Sequence, residues 1–238
     1  MALKAVLFDF NGVIINDEAI HAKLLNKLLI EENICPQPGE FNQYCLGRSD
    51  RACLAAILTS RGRVVSEAYL DKLVQRKAMF YQRELESMTD LPIYRGLTDL
   101  LFHLVPTKLR LAVVSGALRS EIELVLTKAG LMDYFHTIVA GDDVTNSKPA
   151  PDGYLLAVER LNQLFPDLQL LPQECLAIED TPAGIEAAKR AGMSVVGVAN
   201  TYPFHMMQRQ ANWAVDYLSD LELDRVQEVF ARQSSIAP

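Results

Sequence analysis

Basic clusters, long apolar runs and CxxC pairs are all missing from this chain of 238 residues. The sequence has 23 basic against 30 acidic side chains and a net charge of −7. Its lysines and arginines form no patch of the kind that binds a phosphodiester backbone or an anionic membrane. We therefore expect neither a nucleic-acid partner nor a membrane partner.

The apolar runs are too short to cross a bilayer, and the first of them ends at Asp9, too early for a signal peptide. The four cysteines are Cys35, Cys45, Cys53 and Cys175. They form no Cys/His metal pattern, so we expect them to be reduced packing residues of a cytoplasmic protein. Cys45 and Cys53 lie in a helical segment described below, where either could also face a site.

Half of the residues are apolar, and outside residues 17–90 the apolar runs alternate between strand and helix patterns. Short apolar or β-branched runs predict strands at 5–8, 109–114, 137–140, 175–178, 194–198 and 213–215. Amphipathic segments predict helices at 97–104, 120–129, 151–164, 181–191 and 224–232. This alternation indicates the α/β class, with a doubly wound, Rossmann-like parallel sheet covered by helices on both faces.

Residues 17–90 show helical periodicity and no convincing strand. We therefore expect an all-helical cap domain at 16–91, inserted into a core domain formed by 1–15 and 92–238. No internal repeat or low-complexity segment interrupts either part.

Polar side chains follow four of the predicted strands, at the point where each strand ends. They are Asp9, Ser115, the pair Asp142 and Asp143, and the pair Glu179 and Asp180. Because the carboxyl ends of parallel strands lie along one edge, we expect these groups to converge there, with Lys148 nearby. Clustered carboxylates repel one another unless a divalent cation lies among them, and oxygen ligands favour Mg²⁺. Taken singly, Asp9 could instead be a helix cap, Ser115 a turn former and Lys148 a solvated loop residue.

Four short motifs occur in order, and a fifth segment, Asn16-Asp17-Glu18 through His21, opens the helical part. The four are Asp9-Phe10-Asn11-Gly12-Val13, Val114-Ser115-Gly116, Lys148-Pro149-Ala150-Pro151-Asp152 and Glu179-Asp180-Thr181-Pro182-Ala183-Gly184. On these motifs nearly the whole chain resembles the haloacid dehalogenase superfamily, in particular its β-phosphoglucomutase-like and phosphoglycolate-phosphatase-like group with a helical cap.

The resemblance implies a role for each position. Asp9 would attack phosphorus and form an aspartyl-phosphate. Asp9, the main-chain carbonyl of Asn11 and Asp180, supported by Glu179, would hold Mg²⁺. Ser115, Gly116 and Lys148 would bind the transferred phosphoryl group, while the cap closes over the site and supplies Gly47, Arg48 and His21. His21 could equally be a packed or solvated helix residue.

The sequence departs from the family at Asn11, where the family's phosphatases and mutases carry an acid/base Asp. A carboxamide cannot exchange a proton near neutral pH, and losing general acid–base help costs ~10²–10⁴-fold in rate. Asn16 also replaces a usual Asp. The substitution at Asn11 is either natural or engineered.

The cap loop departs as well, because Leu46 and Asp50 stand where mutases carry basic residues for a second phosphate. Arg48 and Arg51 could take their place or be solvated.

We therefore predict a Mg²⁺-dependent phosphatase of a small phosphorylated metabolite, weakened by Asn11. A sugar phosphomutase, an impaired phosphometabolite-binding protein and a dehalogenase- or phosphonatase-like hydrolase are the alternatives. A monomer or weak dimer is expected.

Overall fold

The computed structural model describes residues 2–233, and its centre is a sheet of six parallel strands in the order β3-β2-β1-β4-β5-β6. The strands are β1 Ala5–Phe8, β2 Arg110–Val114, β3 Thr137–Val139, β4 Cys175–Glu179, β5 Ser194–Val198 and β6 Trp213–Val215. The chain leaves β1 towards β2 and β3 and later returns to β4 on the other side of β1. This reversal opens a crevice beyond the carboxyl end of β1, which is where ligands bind in doubly wound sheets.

Ten α-helices accompany these strands within the described residues. They are α1 Glu18–Glu31, α2 Glu40–Tyr44, α3 Asp50–Ser60, α4 Glu67–Ser87, α5 Leu97–Leu104, α6 Arg119–Lys128, α7 Asp152–Leu164, α8 Pro182–Arg190, α9 Phe204–Gln210 and α10 Leu223–Gln233. None of them combines the length and apolar character that a bilayer-spanning helix requires.

Alternation along the strands divides the core into two layers. In β1, Val6 and Phe8 join an apolar cluster with residues of α5, α6 and α10, whereas Ala5 and Leu7 join a second cluster with residues of α7 and α8. Successive side chains of a strand point to opposite faces, so a sheet covered on both faces needs apolar residues at every position. The predicted α/β class and doubly wound parallel sheet are confirmed.

Helices α1 to α4 lie between β1 and α5 and pack around an apolar cluster of their own, which includes Leu25, Leu28, Ile57 and Leu73. Ser49 caps α3 by accepting a hydrogen bond from the Ala52 N–H at 3.3 Å. The expected all-helical cap is therefore present. Its limits at residues 16 and 91 stay a prediction.

The prediction that all four cysteines are reduced is wrong for two of them. Cys45, at the end of α2, and Cys53, in the first turn of α3, are joined by a disulfide with Cα atoms 4.6 Å apart. The loop between the two short helices turns back on itself, which brings two buried thiols together without any CxxC spacing. Cys35 and Cys175 are free thiols.

Candidate active site

Three carboxylates meet at the carboxyl ends of β1 and β4. Asp9, Glu179 and Asp180 each offer an oxygen within 4.8 Å of the others, and all three are buried. The register explains the meeting: Phe8 pairs with Ile178, and the Asp9 N–H donates to the Ile178 carbonyl at 3.0 Å. Neighbouring parallel strands therefore end side by side and place their terminal acids together.

Lys148 joins the strand ends from the loop before α7. Its Nζ lies 2.8 Å from Asp9 Oδ1 and 2.6 Å from Glu179 Oε1, and its side chain is buried. Tyr154 also donates to Glu179 Oε1, at 2.6 Å. Burial opposes the charge on Lys148, but Asp9 and Glu179 outweigh burial and raise its pKa. Lys148 is thus a permanent cation held against Asp9.

One lysine does not balance three acids. Burial, and after it the Glu179 carboxylate, raises the pKa of Asp9 to about 7, although Lys148 acts in the opposite direction. Burial and then Asp9 and Glu179 raise the pKa of Asp180 well above its usual value. Asp180 Oδ1 is buried without a hydrogen-bond partner, while Thr201 donates to Oδ2. An unpartnered carboxylate oxygen among acids is the arrangement expected where a hard divalent cation binds, so these residues fit Mg²⁺.

Gly12 makes this close approach possible. A Cβ at Gly12 would overlap the Asp180 carboxylate, and the backbone there has φ +80°, which favours glycine. The Gly12 carbonyl accepts a hydrogen bond from Asn200 Nδ2 at 2.7 Å. The loop after β1 therefore passes directly over Asp180.

Asn11 faces a second polar group next to the acids. Its Nδ2 donates to both oxygens of Asp17, each at 3.0 Å, and lies 3.2 Å from His21 Nε2. Tyr81 also donates to Asp17, and His21 stacks on Tyr81 with ring centroids 4.6 Å apart. Burial opposes ionisation of Asp17, but His21, Asn11 and Tyr81 together lower its pKa. His21 is consequently a partly buried residue with hydrogen-bond partners rather than a solvated one.

The helical segment is closed over the acids. Gly47 lies so close to Thr181 that a Cβ would be 2.7 Å from its Oγ1, and Ser49 N–H donates to Ser147 Oγ at 3.0 Å. The enclosed cavity measures about 60 Å³, and its lining includes Asp9, Asn11, His21, Gly47, Arg48 and Lys148. A larger cavity of about 730 Å³ adjoins it, and Gly116 and Lys148 line both.

The structure does not bring every predicted residue to this cavity. Ser115 is buried and lines only the larger cavity, and its Oγ accepts the Ala117 N–H at 3.0 Å, as a turn former does. Asp142 accepts the Arg119 N–H, and Asp143 binds Arg119, Arg160 and the Ala140 N–H. Asp142 lines the larger cavity at the same edge of the sheet. Asp143 does not join the three acids, because guanidinium groups on α6 and α7 hold it at the end of β3.

Replacing Asp143 by Asn should lower stability rather than activity. Burial opposes ionisation, but Arg160, the Ala140 N–H and Arg119 lower the pKa of Asp143 to about 2. In the unfolded chain the carboxyl group has a pKa near 3.8. Ionised Asp143 therefore stabilises the folded state fully above that pH, and this stabilisation is lost as the pH falls through 2. We expect Asp143→Asn to lower the free energy of unfolding by about 1 kcal/mol at pH 7, since solvent screens the pairs. Urea titrations at several pH values test this, with the exposed Glu123→Gln as control.

Replacing Gly116 by Ala should hinder closure of the helical segment. A Cβ there would lie 2.9 Å from the Ser49 nitrogen and 3.1 Å from the Arg48 carbonyl carbon, both backbone atoms that cannot move aside singly. Because small misplacements of closing elements are costly, we expect kcat/KM to fall ~10–100-fold with little change in unfolding free energy. Steady-state kinetics with an aryl phosphate, beside a urea titration, would measure both. An unchanged kcat/KM would show that turnover does not need this contact.

Several polar residues of the site were not singled out from the sequence. Lys77 and Glu121 are buried next to the site, and Lys77 Nζ lies 2.7 Å from Asp50, the cap-loop residue named above. Thr201 and Tyr154 hold Asp180 and Glu179. No sequence motif marked these positions, because each lies on a helix or loop whose local pattern is unremarkable and only tertiary packing brings it to the site.

The chain is similar to proteins of known sequence and structure. The family model described as haloacid dehalogenase-like hydrolase matches residues 6–198. Over 228 residues the chain is 31% identical to β-phosphoglucomutase of Bacillus subtilis strain 168, covering 95% of each chain. It is 29% identical over 199 residues to validoxylamine A 7′-phosphate phosphatase of Streptomyces hygroscopicus subsp. limoneus, covering 84% of this chain and 87% of that one. The crystal structure of β-phosphoglucomutase from Clostridium difficile superposes with a TM-score of 0.83 at 26% identity, covering 98% of this chain and 99% of that chain.

Proposed function

Since the chain belongs to the haloacid dehalogenase-like hydrolase family, we propose that it is a Mg²⁺-dependent phosphatase of a small phosphorylated metabolite, with Asp9 as the nucleophile. The observation that carries the proposal is the meeting of Asp9, Glu179 and Asp180 around an unpartnered oxygen, with Lys148 against Asp9. Mg²⁺ held by Asp9 and Asp180 would offset the repulsion between an anionic nucleophile and an anionic phosphoryl group.

In the proposed mechanism Asp9 attacks phosphorus in line with the leaving group. The Phe10 N–H and Lys148 both contact Oδ1, at 2.7 Å and 2.8 Å, which fixes the carboxylate and directs its other oxygen for attack. That oxygen forms a bond to phosphorus while the bond from phosphorus to the leaving-group oxygen breaks, giving an aspartyl-phosphate and an alkoxide or phenoxide. Water then attacks the aspartyl-phosphate and releases inorganic phosphate and the Asp9 carboxylate.

Lys148 and Glu179 act as a pair in this scheme. Lys148 faces the Asp9 oxygen and neutralises charge on the transferred phosphoryl group. Glu179 holds Lys148 in place and is itself held by Tyr154 and, at 3.4 Å, by the Thr181 hydroxyl. Gly116 and the neighbouring backbone at the end of β2 complete the proposed phosphoryl-binding set.

Asn11 sets the limit on rate. By the family resemblance Asn11 stands at the position of the acid/base residue, yet its amide donates to Asp17 and exchanges no proton near neutral pH. We therefore propose slow turnover, with a preference for aryl and acyl phosphates, which leave without protonation. Sugar phosphates, which leave as alkoxides, are the poorest substrates of the chain as it stands.

Phosphomutase activity is the second candidate, because two of the similar proteins bear that name. The cap argues against it. Leu46 is apolar, and Asp50 presents a carboxylate to the cavity where a second phosphate would need a cation.

Removal of Mg²⁺ tests the proposal directly. Phosphate release from p-nitrophenyl phosphate, acetyl phosphate and glucose 6-phosphate should require Mg²⁺, stop on addition of EDTA and return with excess Mg²⁺. We expect at least ~100-fold loss without the ion, as several carboxylates then remain uncompensated. Turnover that persists unchanged in EDTA would overturn the metal-dependent mechanism. Binding of Mg²⁺ and phosphate without any turnover would favour a binding protein instead.

A further inference from the structure

Glu121 presents an unexplained carboxylate to the enclosed cavity. It is the third residue of α6 and only 3% exposed. Its Oε2 accepts the Leu118 N–H at 3.1 Å, as a helix-capping glutamate does. Its Oε1 is buried, has no hydrogen-bond partner and belongs to a side chain that lines the cavity. Capping explains one oxygen, and a buried polar atom left without a partner needs another explanation.

The groups around Glu121 leave it without a cation of its own. Lys77 is the nearest ammonium, and its Nζ contacts Asp50 at 2.7 Å and His21 Nδ1 at 2.6 Å. Burial and then Asp50 raise the pKa of Glu121, against Lys77 and His21. Asp50 and Glu18 are further carboxylates on the cavity wall, whereas Arg48 is exposed at its rim. The part of the wall formed by Glu121 and Asp50 thus holds two carboxylates and one buried ammonium, that of Lys77.

We infer that this wall, made by Glu121 and Asp50, binds a protonated amine of the leaving group, so that the preferred substrates are phosphate monoesters of amino sugars or amino polyols. The inference rests on the proposed phosphatase function. Lys148, together with Mg²⁺ when it is bound, would attract the phosphate at one end, and the carboxylates would attract the amine at the other. A second phosphate at that position meets like charge in a buried site, which is strongly unfavourable. Glu121 is therefore the specificity-determining residue.

Competition against an aryl phosphate tests the inference. In this assay the rate of p-nitrophenyl phosphate hydrolysis by the full chain in Mg²⁺ is measured at increasing concentrations of glucosamine 6-phosphate, glucose 6-phosphate or glucose 1,6-bisphosphate. The first two differ only by an amine in place of a hydroxyl group. We expect the inhibition constant of glucosamine 6-phosphate to be ~10-fold below that of glucose 6-phosphate, with the bisphosphate weakest.

Glu121→Gln is the informative variant because its carbonyl oxygen can still accept the Leu118 N–H and keep the helix cap. It should reduce the amine preference to less than ~2-fold and improve binding of the bisphosphate. Glu174→Gln is the matched control: Glu174 also caps a backbone N–H, that of Leu171 at 3.0 Å, but lies outside the lining of the cavity. This control should keep the full preference.

Three outcomes overturn the inference: equal inhibition by the amine and the hydroxyl compound, tightest binding of the bisphosphate, or a preference that survives Glu121→Gln. Failure of the proposed function is a different result, because then p-nitrophenyl phosphate is not hydrolysed. In that case calorimetric titration of the same three compounds in Mg²⁺ still measures the amine preference.

Discussion

Replacing Asn11 by Asp is expected to raise kcat for glucose 6-phosphate by ~10²–10⁴-fold, the usual contribution of general acid–base catalysis. Asn11 Nδ2 lies 3.0 Å from both oxygens of Asp17, whose pKa is lowered by its donors. A carboxyl group placed there meets the Asp17 carboxylate and must retain its proton to keep the hydrogen bond. A carboxyl group that keeps its proton, unlike the Asn11 amide, can transfer that proton to the leaving oxygen. Single-turnover phosphate release from both proteins measures the gain.

The chain offers a matched control for this change. Asn16→Asp makes the same chemical substitution five positions later, at an exposed residue that does not line the enclosed cavity. It should leave kcat unchanged. With p-nitrophenyl phosphate the gain from Asn11→Asp should shrink below ~10-fold, because a phenolate leaves without a proton. Equal gains for both substrates would show that Asn11 limits a step other than leaving-group protonation.

Replacing Asp9 by Asn is expected to lower kcat by at least ~10⁴-fold for every phosphate ester, since it removes the attacking oxygen. The protein should remain folded. Burial and Glu179 raise the pKa of Asp9 to about 7, so the folded state resists its ionisation. Without Mg²⁺, ionisation of Asp9 lowers the free energy of unfolding. This loss begins above pH 3.8, near the pKa of the group in the unfolded chain, and is complete above pH 7.

Unfolding measurements separate loss of chemistry from loss of structure. In metal-free buffer Asp9→Asn should be more stable than the unmodified chain at pH 8 and similar to it at pH 3, below both pKa values. Added Mg²⁺ should stabilise the unmodified chain more than the variant, because ligands stabilise the state that binds them. Turnover that survives in a folded Asp9→Asn protein would remove Asp9 from the mechanism.

The strands of the sheet could be predicted from the sequence because each is an apolar run that ends at an acid, a turn or a glycine. Val6 and Phe8 face one layer and Leu7 the other, so a continuous apolar run was the right signal for a sheet buried on both faces. The short helices α2 and α9 were not predicted. With five and seven residues they are too short to show a periodic pattern, and their neighbours hold them in place.

The candidate site could be predicted where it depends on strand ends and not where it depends on packing between distant elements. Parallel register brings Asp9, Glu179 and Asp180 together, as expected from their positions. Asp143 follows a strand too, but Arg119 and Arg160 approach it from two helices, which no local pattern reveals. Glu121 was not predicted for the same reason: its position in α6 is that of an ordinary capping residue, and only tertiary packing brings it to the cavity.

Covalent transfer to Asp9 is the centre of this account, and mass spectrometry of the protein quenched during turnover tests it most directly. After incubation with acetyl phosphate and Mg²⁺ and a rapid acid quench, a phosphoryl group should be found on the peptide that contains Asp9. It should be absent from the Asp9→Asn protein and lost on treatment with hydroxylamine, which cleaves acyl phosphates. Turnover accompanied by label on a different residue, or by no labelled peptide under the same quench, would contradict the mechanism.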